Sequence, residues 1–382
     1  MSDLILDSLE IRNFRGFQHL QIERLGRVNL IVGKNNIGKT SLLEALQLYA
    51  RRGSPVLIWE LIDIRDEGFY SYSRSKSLVS VDGGRVIEDW LLSLRYLFYG
   101  REDLSTYPNS IELGPANKPD EILSIAVRWY VEQKDESGFT RYQLLSPDEY
   151  KLVDYPVLRF AIRIGMQSER SAPLARTRRR SLTSDPASIK CFFRRADGVN
   201  REQIAQFWDG ITLQKPEKDV LSALRILAPG VEGLSFVGDS RPVQVGDQEE
   251  NRIPIVKMAG SNEPFPLRSL GDGMMRTLEI VLALVNARDG MVLVDEFENG
   301  LHYAALPELW ELIFQLARHL NVQVFATTHS WDCIEAFQKA AVEDKREEGL
   351  LVRLSLKGDD IVSTIFDKDE LGIITRERIE VR

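Results

Sequence analysis

Apolar and polar residues alternate from Leu4 to Phe14, and a second apolar run from Val28 to Val32 leads into a glycine-bearing stretch. The pattern predicts strand, strand, loop. From Lys39 the apolar positions Leu42, Leu43, Ala45, Leu46 and Tyr49 recur at helical spacing until Gly53-Ser54-Pro55 stops them, so a helix starts directly from the loop. In the middle, Ile122 to Val131, Tyr142 to Leu145 and Val157 to Ile164 have the character of strands, and the Ser- and Pro-containing stretch Ser168 to Pro186 that of a mobile loop. Two amphipathic stretches, Arg201 to Trp208 and Lys218 to Leu227, predict a helical insertion ended by Pro229-Gly230. Short runs at Leu234 to Val237, Val243 to Val245 and Ile253 to Val256 are expected to return to the sheet. Beyond Ser269 come a helix from about Gly273 to Ala287, a strand at Met291 to Val294, a helix near Leu306 to Leu320, a strand at Val322 to Ala326 and a helix from Trp331 to Ala341. Strands alternating with helices predict an α/β fold whose sheet is mostly parallel and covered on both faces.

Composition narrows the reading. A chain of 382 residues with 43% apolar residues can build one large core or two ordinary ones. Cys191 and Cys333 lie far apart and only His19, His302, His319 and His329 accompany them, which predicts neither a disulfide framework nor a zinc site and fits a reducing cytoplasm. No basic leader opens the chain and no stretch approaches the ~20 apolar residues of a membrane span, so a cytoplasmic protein without membrane insertion is expected. The net charge of -8 means that any nucleic-acid contact has to come from a local patch. Arg159, Arg163, Arg170, Arg176, Arg178, Arg179, Arg180, Lys190, Arg194 and Arg195 face only Glu169 and Asp185 within their segment. This stretch is either a DNA contact, a docking site for an acidic partner or a solvated surface.

The candidate chemistry begins at Gly33-Lys34-Asn35-Asn36-Ile37-Gly38-Lys39-Thr40, which satisfies G-x-x-x-x-G-K-[ST] between a strand and a helix. The glycines allow successive N–H groups to point at phosphate oxygens, and the helix adds its positive N-terminal end. Lys39 is expected to reach the β- and γ-phosphates of ATP, and Thr40 to place its hydroxyl on Mg²⁺. The run Met291 to Val294 ends in Asp295-Glu296, two carboxylates at the C-terminal tip of a buried strand, where ligands of open α/β sheets bind. Asp295 is the candidate for the metal shell and Glu296 for orienting the attacking water; a strand leaving into a solvated acidic turn is the plainer alternative. His329 follows Val322 to Ala326 through Thr327-Thr328, at the same sheet edge, where it can meet the γ-phosphate or be merely structural. Leu267 to Gly273, read Leu-Arg-Ser-Leu-Gly-Asp-Gly, precedes a helix, so Ser269 and Gly271 make either a second anion site or an ordinary serine cap with turn glycines.

Together these segments resemble the ABC-ATPase branch of P-loop proteins, in particular the SMC/RecF-like group and its OLD (overcome lysogenisation defect) family. The residues that carry the resemblance are Ile11 to Phe17, the loop continued through Ser41, Ser269 to Gly273, Val294 to His302 and Thr327 to Ser330, in the family's order. The resemblance implies an ABC-ATPase-like head with a mostly parallel central sheet, an antiparallel β lobe and a helical insertion. On that basis residues 1–165 and 234–382 form the two parts of the ATPase domain and 166–233 the basic loop and helical insertion. It also implies a homodimer or larger assembly in which ATP is sandwiched between the loop of one protomer and Ser269 and Gly271 of the other, with Asn299 to His302 crossing between them. The Q-loop residue stays unassigned, because Gln47 falls within the first helix. Many OLD proteins continue into a Toprim nuclease; Phe366 to Arg382 offers no such module, and the ending resembles stand-alone members whose nuclease is a separate protein and which serve in anti-phage defence. The expected function is therefore a Mg²⁺-dependent ATPase that controls a separate Toprim-like effector. A RecF-like DNA-binding repair ATPase is the alternative, and the Ser-Leu-Gly-Asp-Gly variant and long insertion weigh against a transport subunit.

Overall fold

The computed structural model describes residues 4–68, 91–102, 104, 109–134, 140–146, 149, 152–153, 156–174, 188–196, 198, 201–238, 252–343 and 349–381. The first third contains β1 (Leu9–Phe14), β2 (Phe17–Ile22), β3 (Val28–Val32), α1 (Lys39–Ala50), α2 (Pro55–Asp63), β4 (Ser110–Gly114) and β5 (Leu123–Lys134). The middle adds β6 (Thr140–Leu144), β7 (Val157–Ile164), β8 (Arg170–Pro173), β9 (Cys191–Arg194), α3 (Arg201–Asp209), α4 (Lys215–Leu227), β10 (Val231–Gly238), β11 (Arg252–Met258) and β12 (Phe265–Pro266). The last part holds α5 (Asp272–Asn286), β13 (Met291–Val294), α6 (Leu306–His319), β14 (Gln323–Thr327), α7 (Trp331–Glu343), β15 (Gly349–Lys357), β16 (Asp360–Phe366) and α8 (Lys368–Glu377).

The central sheet runs β16-β15-β3-β14-β13-β9 and is parallel except for β16, which returns antiparallel beside β15. Every residue of β3, β13 and β14 is buried, as expected of strands covered on both faces. Their side chains divide by the two-residue period of a strand. Val28, Leu30, Val32, Val292, Val294, Val324 and Ala326 enter the core under α5, α6 and α7. Ile31, Met291, Leu293 and Phe325 enter the opposite core with α1 and α2.

That second core is closed by a seven-stranded antiparallel sheet, β2-β1-β4-β5-β7-β8 with β6 paired to β5. Helix α1 thus lies between two sheets and is buried over ten of its twelve residues, which leaves no solvent face for the usual polar stripe. The expected antiparallel lobe and mostly parallel sheet are both present. So are the two helices of the insertion, which pack through Ile204, Trp208, Val220 and Leu224 into the core of α5.

Three features depart from the sequence reading. The runs at 234–237 and 253–256 do not rejoin the central sheet: β10, β11 and β12 form a separate antiparallel sheet. Only Val231, Leu234, Phe236, Pro254 and Val256 of the β10–β11 hairpin are buried, and strands that alternate in this way belong on a half-exposed sheet. Residues 243–245 and the arginines at 176 and 178–180 lie outside the described residues. Gly53-Ser54-Pro55 does end α1, but it also begins α2, with Pro55 in the first turn where its missing N–H costs nothing. The four-residue β9 and the C-terminal β15–β16 hairpin complete the sheet's edges, and α8 opens with a capping box between Asp367 and Glu370. Among the described residues no helix is long and apolar enough to cross a membrane.

The approach of β9 to β13 is tight at its start. Met291 N donates to the carbonyl of Lys190 at 2.8 Å, and a Cβ on Gly290 would fall 2.3 Å from that same oxygen. Gly290→Ala is therefore expected to force backbone to move and to lower stability by about 1–3 kcal/mol or more. A lowered urea midpoint at unchanged slope checks this.

Candidate nucleotide site

The parallel register of three strands assembles the site. Val294 of β13 lies opposite Ala326 of β14, and Thr327 lies opposite Ile31 of β3, so the three strands end side by side. The glycine loop leaves β3 there, with Gly33 and Gly38 at φ 144 and 98 and Asn36 at φ 62. Neither glycine tolerates a side chain. A Cβ on Gly33 would lie 2.6 Å from the Leu354 carbonyl, and one on Gly38 would lie 2.8 Å from the Phe17 ring. The loop is thus pressed between β15 and β2.

Lys39 is 6% exposed and donates its ammonium to the carbonyls of Gly33 at 2.7 Å and Lys34 at 2.9 Å. Burial lowers its pKa from 10.5 to about 8, against the opposing pull of Asp295, Glu296 and Glu298. Thr40 Oγ1 donates to Asp295 Oδ2 at 2.8 Å, while Asp295 Oδ1 accepts from Thr327 Oγ1 at 2.6 Å. The carboxylate therefore ties the loop helix to the neighbouring strand end. Thr327 Oγ1 also accepts from the Glu296 N–H at 2.9 Å.

Glu296 has φ 48, a left-handed conformation that an ordinary side chain adopts only when its surroundings hold it there. Thr327 and the Arg276 guanidinium, which donates to the carbonyls of both Asp295 and Glu296, provide that hold. The turn re-aims Glu296 off the strand, into a cavity of about 720 Å³ that it shares with Asn35, Asn36, Lys39, Thr40 and His329. Such a volume accommodates a nucleotide. Glu298 fixes the loop before α7 by accepting from Thr328 Oγ1 at 2.7 Å and from the His329 N–H at 2.8 Å.

Of the predicted residues, Gly38, Ser41 and Asp295 also line this cavity. Ile37 is 5% exposed and packs into the core beneath the loop, so its side chain faces away from any ligand. Gly33 and Lys34 contribute the carbonyls that hold Lys39. Ser269 and Gly271 are exposed at the start of α5 and do not line the cavity. Gln47 stays inside α1 and does not line it either.

Several site residues escaped the sequence reading. Glu44, fully buried within the apolar stripe of α1, pairs with Arg15 at 2.7 Å, Arg65 at 3.0 Å and Arg195 at 3.5 Å. Arg65 also donates to Ser41 Oγ at 3.2 Å, and Arg15 and Arg65 both reach the cavity. The available signal was a carboxylate where helical spacing demands an apolar residue. Burial and pairing of this kind take Arg194 and Arg195 out of the expected basic surface between 159 and 195, while Arg163 and Arg170 stay exposed. Arg194 is 8% exposed and bonded to Glu279 at 2.8 Å, Arg195 turns inward to Glu44, and Arg170 donates to the Arg52 carbonyl at 3.1 Å.

The matching family models agree with this geometry. Residues 5–78 match the family model described as AAA ATPase domain, and residues 247–332 match the one described as AAA domain, putative AbiEii toxin, Type IV TA system. An ATP/GTP phosphatase of Helicobacter pylori is 23% identical over 360 residues, covering 89% of each chain. The DNA replication and repair protein RecF of Clostridioides difficile is 46% identical over 43 residues, 11% of this chain and 12% of that one. Among solved structures, an Smc head bound to the C-winged helix domain of ScpA aligns over 95% of this chain and 97% of its own, at 12% identity and a TM-score of 0.47. Loop, strand-end carboxylates and these domain matches agree on the class: the chain is an ATPase with a P-loop nucleotide site on an α/β fold.

The lowered pKa of Lys39 gives nucleotide binding a pH signature. A triphosphate favours the ammonium form, so binding takes up a proton wherever the free protein holds Lys39 neutral. Affinity should be full below pH 8 and fall by up to about tenfold per unit above it. Lys39→Arg, which keeps its charge throughout, should flatten the profile; calorimetric dissociation constants from pH 6 to 10 test both.

Proposed function

We propose that this chain binds ATP between two copies of itself, hydrolyses it, and thereby controls a separate Toprim-like nuclease in anti-phage defence. The observation that carries the ATPase chemistry is the Thr40–Asp295 contact inside the cavity that Lys39, Glu296 and His329 share. Thr40 and Asp295 offer hard oxygen donors 2.8 Å apart, a set that suits Mg²⁺ completed by substrate phosphates and water. Among the described residues no cluster of His, Cys, Asp and Glu forms a metal cage by itself, in keeping with a metal brought in with the nucleotide. Bound there, Mg²⁺ supplies positive charge to the phosphate oxygens.

The chain's own residues do the rest. Loop N–H groups and Lys39 grip the phosphate tail, the latter exchanging its bonds to Gly33 and Lys34 for phosphate oxygens. Glu296, already turned into the cavity, accepts a hydrogen bond from the water whose oxygen attacks the γ-phosphorus as the bond to ADP breaks. His329 contacts the γ-phosphate from the adjoining strand end.

Ser269 and Gly271, exposed and apart from this cavity, are the residues through which the second copy closes it. Gly273, the second residue of α5, packs so closely on Gly300-Leu301 that a Cβ there would lie 3.0 Å from the Gly300 carbonyl. The signature and the expected crossing segment therefore present one continuous face, as a sandwich dimer requires. The match of residues 247–332 to a domain described with a putative toxin supports a role in a defence module.

A second reading is a RecF-like DNA-binding ATPase, favoured by the short RecF similarities and by the outer face of the antiparallel sheet. There Arg128 pairs in register with Arg159, and Arg163 with Ser124, beside Tyr130. Duplex binding through these arginines would weaken steeply with salt.

Lys39→Ala is expected to weaken ATP binding, and Glu296→Gln to bind ATP, stay dimeric with it and lose turnover by about 100-fold or more, the scale of a lost transition-state contact. Glu296→Gln hydrolysing at the parental rate would remove its assigned role, and an ATP-loaded protein that stays monomeric in sedimentation would remove the sandwich. Duplex titrations from low to high salt separate the readings: absence of binding at low salt eliminates the DNA-binding one, and absence of any copurifying nuclease eliminates the effector.

A further inference from the structure

A second cavity, of about 850 Å³, lies beside the signature segment, and nothing in ATP hydrolysis within one chain uses it. It opens between α3, β11 and the start of α5, with Ile204, Ile253, Pro254 and Met275 as apolar wall. Its charge is set by arginines. Arg194, Arg201, Arg268 and Arg276 line it, against Asp272 and Glu279. Both carboxylates are already engaged: Glu279 accepts from Arg194 at 2.8 Å and Asp272 from Arg268 at 3.1 Å. Among the described residues Arg201 and Arg276 therefore have no carboxylate partner.

Arg276 is the residue that points to a ligand. It is 2% exposed, and its Nη2 is committed to the carbonyls of Asp295 and Glu296. Its Nε and Nη1 are buried and find no acceptor among the described residues. A buried cation with two orphaned donors at a cavity wall calls for an anionic acceptor inside that cavity.

We propose that this cavity binds a small oxyanion carried on an apolar body, a phosphate monoester or an organic carboxylate. The anion sits on Arg276 and Arg201 and the body rests against Ile204, Ile253 and Pro254. Ser269 and Gly271 do not line the cavity, but Arg268, Asp272, Asn299 and Gly300 do, so it opens beside the surface on which a second copy's ATP is expected to dock. Because the same guanidinium holds the backbone that re-aims Glu296, the bound anion also alters hydrolysis. That consequence rests on the ATPase reading; the binding does not.

The test titrates phenyl phosphate and, separately, benzoate into Lys39→Ala protein by calorimetry, with no ATP present. Saturable binding of at least one probe is expected, weakened at least tenfold by adding Arg201→Gln and abolished by adding Ile253→Trp, which fills the cavity. Preference for phenyl phosphate assigns a phosphate ligand, and preference for benzoate a carboxylate. The site is overturned if neither probe binds up to roughly 10 mM, where ligands of this size at ordinary efficiency register. It is equally overturned if both variants bind the probes as tightly as the parent. In protein with Lys39 intact, the probe that binds should change ATP turnover, and Arg201→Gln should remove that change; turnover insensitive to a bound probe removes the coupling to Glu296.

Discussion

One carboxylate holds the nucleotide site together. Asp295 accepts from Thr40 on one side and Thr327 on the other, and so ties the start of α1 to the ends of β13 and β14. The bond is short because the three strands run parallel and in register, which brings their C-terminal ends to one edge. Thr327 in turn positions the Glu296 N–H, so the left-handed turn that exposes the Glu296 side chain is anchored by the same hydroxyl. The chemistry of the site is in this sense a consequence of sheet register.

A second constraint comes from burying α1 between two sheets. An all-round apolar helix would satisfy that position, yet Glu44 sits in its middle with no exposure at all. A lone buried carboxylate is costly, and the arginines gathered on it offset that cost. Arg15, Arg65 and Arg195 come from the β1–β2 turn, the segment after α2 and the end of β9. Their convergence links the antiparallel lobe, the loop helix and the edge of the central sheet by charge where apolar packing alone would leave them free to slide.

Much of this was legible in the residues. The apolar runs Val28–Val32, interrupted only by Asn29, and Met291–Val294 mark strands covered on both faces, and both were located to the residue because such strands are apolar at nearly every position. The glycine loop, Lys39, Thr40, Asp295 and Glu296 were legible because each is a chemical type fixed at a strand end. What stayed hidden depends on distant partners. Arg194 and Arg195 read as part of a basic surface because nothing local shows that Glu279 and Glu44 wait inside. Arg276 and Glu298 act through backbone carbonyls and N–H groups, which leave no mark on composition or periodicity. Strand β9 is too short to show a period, and β10 and β11 were placed in the wrong sheet because alternation specifies a half-buried strand without saying which sheet it joins.

The position of β3 has a consequence for how the protein is made. Its neighbours are β14 and β15, so residues 28–32 complete their pairing only with residues 324–327 and 349–353. Contacts of such separation form late, because the intervening chain must first be brought to order. On a ribosome, the segment that will cradle phosphate must wait, its edges unpaired, until residues 324–327 and 349–353 have followed it. Competence to hold ATP thus arrives only after these distant partners have been made, and protection of the waiting segment falls to α1, the β1–β2 hairpin or a chaperone.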